Sequence, residues 1–148
     1  MNRFLVITVG VFLALATSAR AQEGLQIDSL FSGAFVPEAK VTESVVSGKE
    51  LKPYNLDYFR SIRFQATDPE IARIAAWIEV DALSASSKEM DHEDGEVTYA
   101  LLSYPDVKNK HKYIGFQVKE AAGQRFVTVV YLTGKATTSD LRVIFKHR

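Results

Sequence analysis

Val97-Thr98-Tyr99-Ala100-Leu101-Leu102-Ser103-Tyr104, then Tyr113 to Lys119, then Arg125-Phe126-Val127-Thr128-Val129-Val130-Tyr131-Leu132: this stretch decides the fold, because it reads as three consecutive antiparallel strands. Side chains alternate across an extended chain, so Ile114, Phe116 and Val118 share one face while Tyr113, Gly115 and Gln117 share the other. The third run is apolar on both faces, with Phe126, Val130 and Leu132 set against Val127, Val129 and Tyr131. A strand of that kind is covered on both sides, which predicts a central position. Pro105-Asp106 closes the first run.

Upstream, Thr67-Asp68-Pro69-Glu70 carries the strongest local signal. Thr67 with Glu70 three residues on makes a capping box, and Pro69 is tolerated in a first turn. The helix predicted from about Asp68 to Ser84 stripes Ile71, Ile74, Ala75, Ile78 and Ala82. Trp77 falls at the edge of that stripe, and Arg73, Glu79 and Asp81 fall on the outer side, with Asp81 near the margin. Residues 24–33 read as a short helix with Ile27, Leu30 and Phe31 inward. Lys40 to Val46 and Tyr58 to Ala66 read as strands. Between them Pro53 offers no ladder donor, so Leu51 to Leu56 is expected as a crossing loop whose Leu51, Tyr54 and Leu56 dip into the core. Ser84 to Gly95 is expected as a polar loop, and Thr137 to Asp140 as the cap of a last helix with Leu141, Ile144 and Phe145 inward. The expected fold is therefore α+β: a mostly antiparallel sheet of about five strands, one long helix packed on a face, a short N-terminal helix and a C-terminal helix.

The chain begins with Arg3, an apolar run from Phe4 to Ala16 and the small-residue pattern Ala19-Arg20-Ala21. That is the order of a cleavable export signal, and the run is shorter than the roughly 20 residues a membrane span needs. Residues 1–21 are expected to be a removed leader, and 22–148 one domain in the periplasm or outside the cell. Zero cysteines exclude thiol chemistry, thiolate metal sites and disulfide staples. With Arg3 and Arg20 gone, the 18 basic residues become 16 against 18 acidic, a formal net of −2 that offers nucleic acid no electrostatic footprint.

None of G-x-S-x-G, S-x-x-K, H-E-x-x-H, G-x-G-x-x-G or a P-loop occurs. Three other constellations remain. Asp91, His92, Glu93 and Asp94, within the acidic segment 89–96, supply hard oxygen ligands and an imidazole for a divalent cation, though their spacing fails the EF-hand pattern and a solvated turn explains them as simply. Lys108, Lys110 and Lys112 form a basic cluster at the opposite end of the first meander strand, suited to an acidic partner or a lipid headgroup, or to plain solubility. Six tyrosines are more than a core absorbs, since a buried phenol needs a hydrogen-bond partner; Tyr54 and Tyr58 are the candidates for a binding surface.

Around Leu51-Lys52-Pro53-Tyr54-Asn55-Leu56 with Phe59-Arg60-Ser61, and again at Val129 to Gly134 leading to Leu141, the chain resembles small Sec-exported bacterial domains of unknown function, of the Bacteroidota type. The resemblance implies an envelope address and a compact α+β domain, and it transfers no functional residue. These readings together point to a non-catalytic envelope module, without cofactor or nucleic acid, that binds a protein or small ligand. The alternatives are a metal-assisted hydrolase using the acidic segment and a structural component of the envelope.

Overall fold

The computed structural model describes residues 25–32, 35–37, 40–108 and 110–146. The expected leader, residues 1–21, lies outside them, as do the side chains of Ile144 and Phe145. Helix α1 (Asp28–Phe31) leads to strand β1 (Thr42–Ser47), a 3₁₀ segment (Gly48–Tyr54) and strand β2 (Leu56–Gln65). Helix α2 (Asp68–Ala82) follows, then strands β3 (Ser87–Glu93), β4 (Glu96–Val107), β5 (Lys110–Ala121) and β6 (Gln124–Gly134), and finally helix α3 (Thr138–Lys146). All six strands belong to one antiparallel sheet in the order β1-β2-β6-β5-β4-β3.

This corrects the expected architecture. The sheet has six strands rather than about five, and only short helices accompany it, in place of one long helix packed on a face. The added strand is β3, drawn from the segment expected as a polar loop. Its residues Ser87-Lys88-Glu89-Met90-Asp91-His92-Glu93 carry no apolar alternation because β3 is an edge strand whose side chains are largely exposed, with Met90 the residue that packs on the core. Asp94 and Gly95, both at positive φ (52° and 82°), make the two-residue turn into β4. That dipeptide is the type I′ hairpin signature, whose twist matches that of the paired strands.

The capping box stands as the spacing predicts: Thr67 Oγ1 accepts from the Glu70 amide at 3.3 Å and Glu70 Oε1 from the Thr67 amide at 2.8 Å. The helix it starts runs fifteen residues and stops two residues short of Ser84, leaving Leu83 80% exposed. Ile71, Ile74, Ala75, Ile78 and Ala82 share a core cluster with Ile62, Phe64, Ala100, Leu102, Ile114, Phe116, Val127 and Val129 of the sheet, and with Ile27 and Leu30 beside α1. The opposite face carries a smaller cluster: Leu101, Tyr113, Val130 and Leu132, closed by Leu51 and Leu56 near the 3₁₀ segment and Leu141 of α3. β6 lies between β2 and β5 and is apolar on both sides, as its sequence requires.

Two further expectations change. Tyr54 does not dip into the core; it is 52% exposed, while Leu51 and Leu56 are buried. Asp81 is not outward but 3% exposed.

Candidate functional site

The antiparallel pairing of β2 with β6 sets Arg60 opposite Tyr131 and Tyr58 opposite Thr133. Residues paired across two strands point to the same face, and diagonal neighbours come within reach of long side chains. Tyr58 and Tyr131 accordingly meet edge-on, with ring centroids 5.8 Å apart. Lys112 of β5 lies on that face as well, its Nζ 5.5 Å from the Tyr131 ring centre and 5.7 Å from that of Tyr104. Helix α1 forms the other wall. Arg60 places its guanidinium 5.0 Å from the Phe31 ring centre, donates through Nη2 to the Phe31 carbonyl at 3.0 Å and through Nε to Glu43 at 2.5 Å. Asp28, Phe31, Ser32, Tyr58, Arg60 and Tyr131 thus enclose an open cleft of about 350 Å³. A second cleft of about 160 Å³ adjoins it and shares Phe31, Ser32 and Arg60.

What holds α1 in place is a buried carboxylate. Asp81, one residue from the end of α2, accepts from the backbone amides of Gln26 at 2.7 Å and Ile27 at 2.9 Å, while its own carbonyl accepts from the Tyr104 hydroxyl at 2.9 Å. Burial pushes the Asp81 carboxyl above the usual carboxylate range, against the opposing pull of the two amides and of Lys112. Burial, then the charge of Asp28, pushes the Tyr131 phenol up; burial and then Asp81 do the same for Tyr104. Both phenols are therefore protonated at neutral pH and present themselves as donors, with the Tyr104 hydroxyl already occupied by Asp81. At the rim, Thr133 donates to Asp57 at 2.5 Å and Lys110 Nζ approaches it to 3.1 Å; those contacts, the threonine hydrogen bond foremost, hold the Asp57 carboxyl below the usual range. The cleft can hold an apolar or aromatic body between rings and offer hydrogen bonds and charge at its mouth.

Of the residues singled out in the sequence, Tyr58 lines this cleft and Lys112 stands beside it, against the Tyr131 ring. Lys110 turns to Asp57, and Lys108 sits exposed at positive φ beside the β4–β5 turn. Tyr54 is exposed on the 3₁₀ segment. Tyr131 belongs to the tyrosine surplus without being singled out by it, and Arg60, Phe31 and Asp28 carry no signal in the linear pattern, because what gathers them is pairing register and the seat of α1.

The acidic segment is divided by the pleat. His92 points to the α2 side, with Nε2 3.5 Å from Glu79. Asp91 and Glu93 line a different cleft of about 320 Å³ on the opposite face, with Tyr99, Gln117 and Lys119. Asp94 occupies the turn, and Glu89 is ion-paired with Arg142 of α3. Successive residues of a strand face opposite ways, so four neighbours there do not converge on one ion. Among the described residues no group of three His, Asp or Glu side chains is gathered to hold a metal, and no described helix is long and apolar enough to cross a membrane.

No curated protein matches the chain. The model of the family of unknown function DUF6108 matches residues 14–145, nearly the whole sequence, and the chain belongs to that family.

Proposed function

We propose that this chain is an exported envelope domain that acts by binding, and that the cleft between α1 and the β2–β6 pair is its binding surface. The observation that carries the reading is the convergence of Tyr58, Tyr131, Phe31 and Arg60 from three separate elements on one opening of about 350 Å³, with Lys112 of β5 beside the Tyr131 ring. Tyrosine and arginine are the side chains that most often dominate binding energy, since they bring large contact area and directed hydrogen bonds for few rotatable bonds. Here the tyrosine rings already pack edge-on and Arg60 is already hydrogen-bonded, so little further ordering is needed on contact. The leader pattern at residues 1–21 and the resemblance to exported Bacteroidota-type domains support the address.

A photo-crosslinking residue at Ser32, expressed in intact cells, is the test. One product is expected to recur, and Tyr58→Ala is expected to reduce it by about tenfold, the loss of one modest anchor. No reproducible product, or a product indifferent to Tyr58, overturns the reading. Mass spectrometry of the exported protein should find Gln22 at its N-terminus.

A further inference from the structure

We infer that the partner is an extended polypeptide segment that adds to the sheet at the outer edge of β1 and seats one apolar side chain in the smaller cleft. The inference rests on the binding reading above and names the class of ligand. Among the described residues no strand lies beyond β1, so the outward main-chain groups of Thr42–Ser47 have no ladder partner there, and five of its six residues are exposed. Such an edge is a template for another strand unless something blocks it. The far edge is blocked: β3 carries Lys88, Glu89, Asp91, His92 and Glu93, and its pairing with β4 shifts register at Asp91/His92. β1 has few of those guards. Thr42-Glu43-Ser44-Val45-Val46-Ser47 contains neither lysine nor proline, pairs with β2 through six residues without a bulge, and leaves Val45 56% exposed. Its single charge, Glu43, is occupied by Arg60.

The occupant follows from what adjoins that edge. The cleft of about 160 Å³ is lined by Leu30, Val36, Val41 and Ile62 beside Glu43 and Arg60, so it lies against β1 and has the size of one leucine- or phenylalanine-like side chain. Strand addition takes affinity from the main-chain ladder and specificity from a pocket for alternate side chains, and both parts are present together. Exposed Lys40 stands just ahead of the strand, and exposed Lys49 and Lys52 flank exposed Glu50 just after it, a net positive rim that favours a segment with acidic residues flanking its apolar one. The shared residues Phe31, Ser32 and Arg60 carry the same groove on to Tyr58 and Tyr131.

The probe is a synthetic nonapeptide of alternating valine and threonine, with a central leucine and a glutamate at each end, titrated into the full mature chain and followed by NMR and amide hydrogen exchange. Binding is expected to slow exchange at alternate amides of 42–47 and to shift the methyl groups of Leu30, Val41 and Ile62. Val45→Lys, an exposed substitution that the fold tolerates, is expected to weaken binding by about tenfold or more. The same peptide N-methylated at alternate residues, unable to complete the ladder, is expected not to bind. Equal binding of the methylated peptide, no slowed amide in 42–47, or no binding at millimolar peptide overturns the inference. So does sedimentation showing that the chain's own copies pair through this edge, abolished by Val45→Lys. If the Ser32 crosslink and its dependence on Tyr58 survive while the peptide fails, strand addition falls and the binding reading stands.

Discussion

The two faces of the sheet are held by different means. Toward α2, nineteen buried apolar residues among those described form one continuous cluster, reaching from Ile27 through the helix to Phe116. On the other side eight do so, and directed contacts supplement them: the Tyr113 hydroxyl donates to the Ala136 carbonyl at 2.7 Å, and Glu89 pairs with Arg142 of α3. Gly134 lets β6 pass close to β2 there; a Cβ at that position would lie 2.6 Å from the Leu56 Cα, at a φ of +150°. The difference teaches that the α2 side holds most of the apolar burial while the other side mainly fixes how the chain's end is tied back. The candidate cleft opens on the α2 side, against α1, where the sheet beneath it is backed by the larger cluster and the wall is short.

That contrast is broken or sharpened most by truncation in each core. Phe116→Ala is expected to cost about 4 kcal/mol and Leu141→Ala about 2–3 kcal/mol in urea unfolding, since a buried phenylalanine inside a continuous cluster leaves the larger unfilled volume. Equal losses would show the two faces to be energetically alike.

Next in size is the carboxylate that secures α1. Asp81→Ala is expected to cost about 2 kcal/mol by leaving the Gln26 and Ile27 amides without an acceptor, and to speed their hydrogen exchange more than that of Phe116 or Val129. Its pH dependence has a defined sign. The folded pKa is raised, so the charged form costs stability, and that cost is relieved as pH falls through the folded value toward the ordinary 3.8. The wild-type advantage over Asp81→Ala should therefore grow on mild acidification. Asp57 runs the other way: its folded pKa is lowered, so its contribution is present above 3.8 and is lost as pH falls through the folded value. Denaturation midpoints of wild type, Asp81→Ala and Asp57→Ala across that range check the signs.

The smallest effect is expected for Tyr113→Phe, about 1 kcal/mol, the net worth of one hydrogen bond. A loss as large as that of Leu141→Ala would mean that the far side depends on its polar tie more than on apolar burial.

Much of this was written in the linear sequence. β4, β5 and β6 follow the alternation of Val97 to Leu132, and α2 begins at the Thr67–Glu70 box. β3 was not legible from hydrophobic period because an edge strand buries little; the readable clue was Asp94-Gly95, a hairpin signature lying inside an apparent acidic loop. Asp81 looked like a surface residue because helical periodicity counts polar residues as outward, whereas its burial depends on two amides more than fifty positions away. The cleft was half legible: tyrosine surplus pointed to Tyr58 and the lysine cluster to Lys112. That Lys112 belongs with Tyr131 rather than with Lys108 emerges only from strand register.

Four residues of helix are too few to persist in water unaided. α1 therefore exists as a wall because Asp81 and the seats of Ile27 and Leu30 keep it docked, and whatever rests against Phe31 also rests on that docking. Occupancy and integrity are thus thermodynamically linked: a ligand recognising the assembled wall raises the melting temperature in proportion to the logarithm of its concentration. Heating the protein beside a panel of compounds becomes a way to find its ligand without knowing the ligand's chemistry in advance.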